Sequence, residues 1–117
     1  MAYPTLKKLN EQVDKIANQQ EPDEAGMVAI CMYNLRRVLK QSTVLYIGNG
    51  NYTFMITSEK TKKCDIRYIK PELQVGPANI LSKEIEKFLK NPERKSGNVH
   101  TIFDFLRNAQ IGKEYFK

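Results

Sequence analysis

The sequence is poor in the residues on which several classes of protein depend. It has no tryptophan, one histidine and two cysteines in 117 residues, which argues against a disulfide-rich secreted scaffold. No apolar run approaches the length of a membrane span, and the lysines near the start are not followed by the apolar run of a signal peptide. We therefore expect a cytoplasmic protein without a membrane partner, in which both cysteines are reduced and buried. A single disulfide between Cys31 and Cys64 is the alternative, because their distance in space is not visible in the sequence.

Motifs that carry catalysis are also missing. The chain has no phosphate loop, no dinucleotide fingerprint and no nucleophile elbow. His100 and Asp104 are four residues apart and could form half of a metal site, but no cysteine or second histidine stands at a matching ligand spacing. Cys31 or Cys64 could pair with His100 as a nucleophile, although apolar surroundings raise the pKa of a thiol. We predict no catalytic residue, no metal and no cofactor; an enzyme built on one of these pairs is the weakest alternative.

Positive charge is what the chain has in excess, and it is concentrated. The formal net charge is +6. Residues 31–70 contain eight lysines and arginines against two acids, so this segment alone accounts for the whole excess. A concentrated basic region is typical of a protein with an anionic partner.

A β-hairpin is predicted around Asn49-Gly50, which lies between two β-rich runs in the stretch 42–57. Asparagine and glycine tolerate the positive φ that a two-residue type I′ turn requires. Centring the turn there pairs Ile47 with Tyr52 and Leu45 with Phe54. The same register predicts one core-facing row, and a slip of one residue would turn it outward. That row contains Leu45, Ile47, Phe54 and Ile56.

Helices are predicted on both sides of this hairpin. The first carries an apolar stripe that either docks on the domain's own core or forms a homodimer seam; the stripe contains Leu6, Leu9, Val13 and Ile16. The second begins near Pro22 and is apolar enough to be the central buried helix. Its stripe contains Val28, Cys31, Met32, Leu35, Val38 and Leu39, widened by Met27, Ala29 and Ile30.

The second half of the chain predicts one more strand and two helices. Residues 64–70 alternate as a third strand. Ser82 can cap a short helix that runs to Lys90. The last helix begins near Asn98 or Thr101, with Gly112 as its C-terminal stop. The fold class is therefore α+β: a single domain with the order α-α-β-β-β-α-α and a three-stranded antiparallel meander packed against helices.

The meander also predicts a binding surface. The loop 58–63 returns to the end of the sheet at which the second helix finishes, so cations distant in sequence converge there, and an exposed aromatic beside them could stack on bases. The predicted site contains Arg36, Arg37, Lys40, Lys60, Lys62, Lys63, Arg67 and Tyr46. The leading hypothesis is a non-enzymatic protein that binds nucleic acid or a nucleic-acid-handling complex. The alternative is an inhibitor or adaptor that binds an acidic protein surface, and a purely solvated charge cluster would bind neither.

Overall fold

The computed structural model describes residues 5–20, 23–41, 44–49, 52–58, 66–71, 77–91, 93 and 98–114. The described elements follow the predicted order with one addition at the end. In chain order they are α1 (Leu6–Asn18), α2 (Glu24–Gln41), β1 (Val44–Gly48), β2 (Thr53–Ser58), β3 (Ile66–Pro71), α3 (Pro77–Lys90), α4 (Val99–Leu106) and β4 (Gln110–Gly112). None of the described helices is both long enough and apolar enough to cross a membrane.

Helix α1 docks on the chain's own core. Thr5 caps its start, because the Thr5 hydroxyl accepts a hydrogen bond from the Lys8 amide at 3.2 Å. Leu9, Val13 and Ile16 are buried in the core shared with the other helices, while Leu6 packs against it half-buried. The internal docking interpretation is therefore confirmed. The homodimer seam through Leu6, Leu9, Val13 and Ile16 gains no support, because its apolar surface is already covered within one chain.

Helix α2 is the central helix, as its apolarity predicts. The Asp23 carboxylate accepts a hydrogen bond from the Gly26 amide at 3.1 Å and so caps the first turn. The six stripe residues from Val28 to Leu39 are all buried. One part of the prediction is wrong: Ile30, expected to widen the buried stripe, is 55% exposed. Ile30 lies on the side of α2 that no described element covers.

The sheet has four strands in the order β3-β2-β1-β4, and all neighbouring pairs are antiparallel. The predicted meander of three strands is confirmed within it. The fourth strand was not predicted: residues 110–112 pair with β1, and Gly112 lies opposite Tyr46. Gly112 is therefore a strand residue and not the stop of the last helix, which ends at Leu106.

The hairpin has the predicted faces but a different register. Leu45 pairs with Ile56 and Ile47 with Phe54, so each residue lies opposite a partner two positions beyond the predicted one. The Asn49 amide donates to the Tyr52 carbonyl at 3.0 Å, and the Asn49 side-chain carbonyl accepts from the Tyr52 amide at 3.0 Å. The turn therefore lies between Asn49 and Tyr52, one residue later than predicted. A register shift of two residues keeps each side chain on the same face of the sheet. The buried row therefore still contains Leu45, Ile47, Phe54 and Ile56.

Strand β4 is held from its other side by α1. The Ile111 amide donates to Asn10 Oδ1 at 3.0 Å, and Asn10 Nδ2 donates to the Ile111 carbonyl at 2.9 Å. The side-chain amide of Asn10 thus satisfies both backbone groups that the edge strand turns away from β1. This arrangement covers an edge that would otherwise be open to pairing with another strand.

The start of α3 differs from its prediction, whereas α4 starts at the first of its two predicted positions. Helix α3 begins at Pro77, where a proline without an amide hydrogen fits the first turn. Ser82 is therefore not a cap: it is buried inside the helix, and its hydroxyl donates to the Asn79 carbonyl at 2.9 Å. Helix α4 has Asn98 as its N-cap residue, without a side-chain hydrogen bond.

Candidate binding surface

The sheet has one covered face and one open face. The covered row joins residues from all four helices in a single core, so the described helices lie on that side. The positions between the covered ones are half-buried, and we call them the open face. They are Val44, Tyr46, Thr53, Met55 and Thr57. Tyr46, expected to be exposed, is half-buried, and its position between the buried Leu45 and Ile47 puts it on the open face.

Tyr46 lies in the middle of the open face. It is in β1, with β2 on one side and β4 on the other. Its cross-strand partner in β2 is Met55, and its partner in β4 is Gly112. Glycine has no side chain, so β4 places nothing beside the Tyr46 ring at this row. The register therefore places Tyr46 between Met55 and a glycine position.

The predicted cations of α2 lie in its last turns. Arg36 and Arg37 are half-buried and Lys40 is exposed. Val44 pairs with Thr57, so β2 finishes at the end of the sheet where α2 leads into β1. The ends of α2 and β2 therefore lie at the same end of the sheet, while the convergence of the cations themselves stays a prediction. We call this end of the sheet, with Arg36, Arg37 and Lys40, the basic edge.

The other predicted cations follow β2 in sequence. Lys60, Lys62 and Lys63 lie outside the described residues, in the connection that leaves β2 after Ser58. Arg67 is the second residue of β3, next to Ile66, which pairs with Ser58 at the same end of the sheet. The cross-strand rows also place Tyr68 opposite Thr57 and Lys70 opposite Met55. Sequence reasoning missed these two positions, because only the register between β2 and β3 aligns them with the open face.

Two exposed residues on α2 were also missed. Ile30 and Tyr33 are 55% and 52% exposed, and the Arg37 guanidinium lies over the Tyr33 ring at 5.6 Å from its centroid. A cation over an aromatic face is attracted by the ring quadrupole. The signal was available in the spacing, since residues 30, 33 and 37 follow one side of a helix. The apolarity of α2 predicts a buried helix, and this prediction does not distinguish the outer side that carries Ile30 and Tyr33.

His100 is bound by two carboxylates. Its Nδ1 lies 2.8 Å from Glu24 Oε1, and its Nε2 lies 3.0 Å from Asp104 Oδ2. The hydrogen bond to Glu24, followed by the charges of Asp104 and Glu24, raises the pKa of His100. The two carboxylates occupy opposite sides of the ring, so they do not converge on a common point. In the part of the chain that the structure describes, no group of three His, Cys, Asp or Glu residues could hold a metal ion.

Cys31 has the character of a core residue. It is fully buried, and it forms no disulfide. Burial raises the pKa of its thiol to about 12, so the thiolate that would act as a nucleophile is strongly disfavoured near neutral pH. Cys64, the other cysteine of the predicted disulfide and the other candidate nucleophile, lies outside the described residues. Cys31 is therefore an inert packing residue.

Two surface cavities among the described residues are lined mostly by groups without a catalytic arrangement. One of about 430 Å³ is lined by Ala17, Asp104, Arg107 and Asn108. A second, of about 170 Å³, lies between α1 and α2 and is lined by Gln12, Lys15, Ile16, Met27 and Ile30. Both are shallow and open to solvent. Comparison with known proteins adds no functional information, because no family model, curated protein or solved structure matches this chain.

Proposed function

We propose that the chain is a small non-enzymatic protein that binds single-stranded nucleic acid on the open face of its sheet. The observation that carries the proposal is the position of Tyr46, central on the open face of a sheet whose basic edge carries Arg36, Arg37 and Lys40. Unpaired bases stack on aromatic side chains presented by a sheet, while neighbouring cations contact the phosphates. The open face and the basic edge combine both elements.

The arrangement supports a strand of nucleic acid better than a duplex. A flat row of half-buried side chains offers stacking surface for separated bases, whereas a duplex groove is read by a protruding helix or ribbon. Tyr68 and Lys70 hold the register positions in β3 opposite Thr57 and Met55. The cations of the basic edge, with Lys60, Lys62 and Lys63 in the adjoining connection, would neutralise phosphates at the end of the sheet.

Fluorescence anisotropy of a labelled single-stranded oligonucleotide, titrated over a range of salt concentrations, tests the proposal. We expect binding at low salt, with log K falling by about 0.7 per phosphate contact for each unit of log salt. Tyr46→Thr should weaken binding by about 1–3 kcal/mol through loss of stacking, whereas Tyr46→Phe should retain it. Circular dichroism of each variant checks that the fold is kept.

A matched pair of triple variants tests the contribution of charge. The change of Lys60, Lys62 and Lys63 to alanine should weaken binding and reduce the salt slope. The same change at Lys7, Lys8 and Lys15, three exposed lysines of α1, removes equal charge from the helical side and should affect binding much less. Equal losses in both variants would contradict a localised site. No binding at about 50 mM salt, where phosphate contacts are strong, would instead favour the alternative partner, an acidic protein surface.

A further inference from the structure

Helix α2 presents a second surface, which shares Arg37 and Lys40 with the basic edge but has no residue in common with the open face. Only three large apolar side chains are well exposed among the described residues: Ile30, Tyr33 and Ile80. Ile30 and Tyr33 are one turn apart on α2, so they form one continuous apolar patch. Single exposed apolar side chains are normal on a protein surface and need no explanation. Two large ones side by side on the outside of the central helix do require one.

The patch belongs to a regular stripe along α2. Starting at the cap residue, the positions alternate in spacing by three and four, which is the repeat of a helix-pairing face. They are Asp23, Gly26, Ile30, Tyr33, Arg37 and Lys40, and we call them the outer α2 face. All are exposed or half-buried, and they lie opposite the buried stripe that begins at Val28. Helix α2 therefore has one pairing face directed at the core and another directed outward.

Charge is distributed along this face with opposite signs at its ends. Asp23 provides an acid at the start of the helix, and Arg37 and Lys40 provide cations at its end, with the apolar pair between them. A polyanion would be repelled by Asp23 and would gain little from Ile30. An acidic peptide would match the cations but would again face Asp23. A second copy of the outer α2 face, running in the opposite direction, complements this order of charges.

We infer that a second copy of this chain docks antiparallel on the outer α2 face to form a two-fold dimer. The symmetry axis passes between residues 31 and 32. Each Asp23 then lies opposite Lys40 of the second copy, each Gly26 opposite Arg37, and each Ile30 opposite Tyr33. Such self-complementarity is the requirement of an isologous interface.

Local packing favours this partner further. The cavity of about 170 Å³ between α1 and α2 has Ile30 and Met27 in its lining, at the level where Tyr33 of the second copy would lie. The Asp23 carboxylate fills the space over Gly26, so the Arg37 guanidinium opposite this position meets an acid. The helix is already folded on its own core, so pairing does not require helix nucleation, which limits short isolated coiled coils.

The interface is small, so the dimer is reversible. Eighteen residues of helix span about 27 Å, and one helix pair buries less area than a permanent dimer. The outer α2 face and the open face point away from the shared core on opposite sides. Dimerisation therefore leaves both open faces uncovered.

Sedimentation equilibrium over a range of concentrations tests the inference. We expect an average mass that rises from 13.5 kDa toward twice that value, and that falls again at high salt. Ile30→Asp should abolish the rise. Ile80→Asp provides the matched control, because Ile80 on α3 is 59% exposed and lies outside the stripe, so this variant should dimerise like the original chain.

Charge reversal distinguishes pairing from damage to the fold. Lys40→Asp alone should weaken the dimer, because it faces Asp23 of the second copy with a like charge. The double variant Asp23→Lys/Lys40→Asp reverses both ends and should restore association. A monomer at every concentration up to about 1 mM, a dimer that survives Ile30→Asp, or a double variant no tighter than Lys40→Asp would each overturn the inference.

Discussion

At the scale of the residue, His100 joins two helices through its side chain. It lies on α4, yet it contacts Glu24 at the start of α2 as well as Asp104 on its own helix. Only the protonated imidazole can donate from both ring nitrogens at once. The contact between α2 and α4 at this point is therefore stronger when His100 is charged.

The sign of the resulting pH dependence follows from the raised pKa. A group whose pKa is higher in the folded state stabilises the fold below its unfolded pKa, near 6.5, and loses that contribution as the pH rises through the folded pKa. We expect His100→Gln to lower the melting temperature most at a pH below about 6.5, and progressively less as the pH rises through the raised pKa. An equal effect across this pH range would contradict the assignment.

Because the chain has one histidine, a single imidazole signal in a proton NMR titration reports this pKa directly. Glu24→Gln should lower it most, because Glu24 supplies the hydrogen bond that is the largest cause of the shift. Glu86→Gln removes the same charge from α3, where Glu86 pairs with Lys90, and should leave the signal in place. A titration unaffected by Glu24→Gln would show that the ion pair does not form in solution.

Asn10 is a second residue whose side chain joins two elements, because it bonds the backbone of β4 from α1. Asn10→Ala would leave the amide and the carbonyl of Ile111 without partners at a half-buried position. We expect a loss of about 1–3 kcal/mol in the free energy of unfolding, measured with urea. Asn18→Ala is the control on the same helix, because the Asn18 side chain bonds only the exposed Asp14 carbonyl at 2.8 Å. A loss no greater than that of the control would contradict the edge-covering role.

At the scale of the element, the hairpin provides the sharpest test of the core. Phe54 is fully buried and lies edge-on to Phe105, with ring centroids 5.6 Å apart. Phe54→Ala should cost about 3–5 kcal/mol, because the cavity cannot collapse between sheet and helix. Thr53→Ala on the open face should cost less than about 1 kcal/mol. Urea unfolding of both variants measures the difference, and similar costs would reverse the assignment of faces.

The hairpin also shows which information the sequence contains. The identity of the buried row follows from alternation, which a shift of the turn by one residue leaves intact. The register does not follow, because Asn49-Gly50 and Gly50-Asn51 are both acceptable turn pairs, and the interactions of Asn49 with Tyr52 select the later one. Helix α1 and the buried side of α2 were predictable from periodicity for the same reason as the buried row.

Elements without periodicity were not predictable. Strand β4 is three residues long, and its pairing depends on β1 and Asn10, which are far away in sequence. In the sequence Gly112 resembles a helix stop, because the partners that make it a strand residue are distant from it along the chain. Similarly, Ser82 resembles a cap until Pro77 is seen to start the helix. The same distinction applies to the candidate site. Alternation in the sequence identifies Tyr46. The positions of Tyr68 and Lys70 and the outer side of α2 could be identified only from the three-dimensional structure.

At the scale of the whole molecule, the two proposed surfaces predict a dependence on oligonucleotide length. A dimer with two open faces should bind a long single strand at two points, which increases the apparent affinity without a new contact. Ile30→Asp should therefore weaken binding to a long oligonucleotide and leave binding to one just long enough for a single face unchanged. Anisotropy titrations with the two lengths provide the measurement. Equal weakening for both lengths would show that Ile30 contributes to the nucleic-acid site itself.

The bonds between Asn10 and Ile111 have a consequence for the order of folding. They join positions 101 apart in sequence, and closing so long a loop is entropically costly until the intervening chain is in place. The hairpin and the turns of α2 close much shorter loops, so they can form while β4 still has no site. We therefore expect the bonds between α1 and β4 to form late in folding and to be among the first to open. Hydrogen exchange at the Ile111 amide would report these openings, at a lower free energy than exchange from the middle of β1.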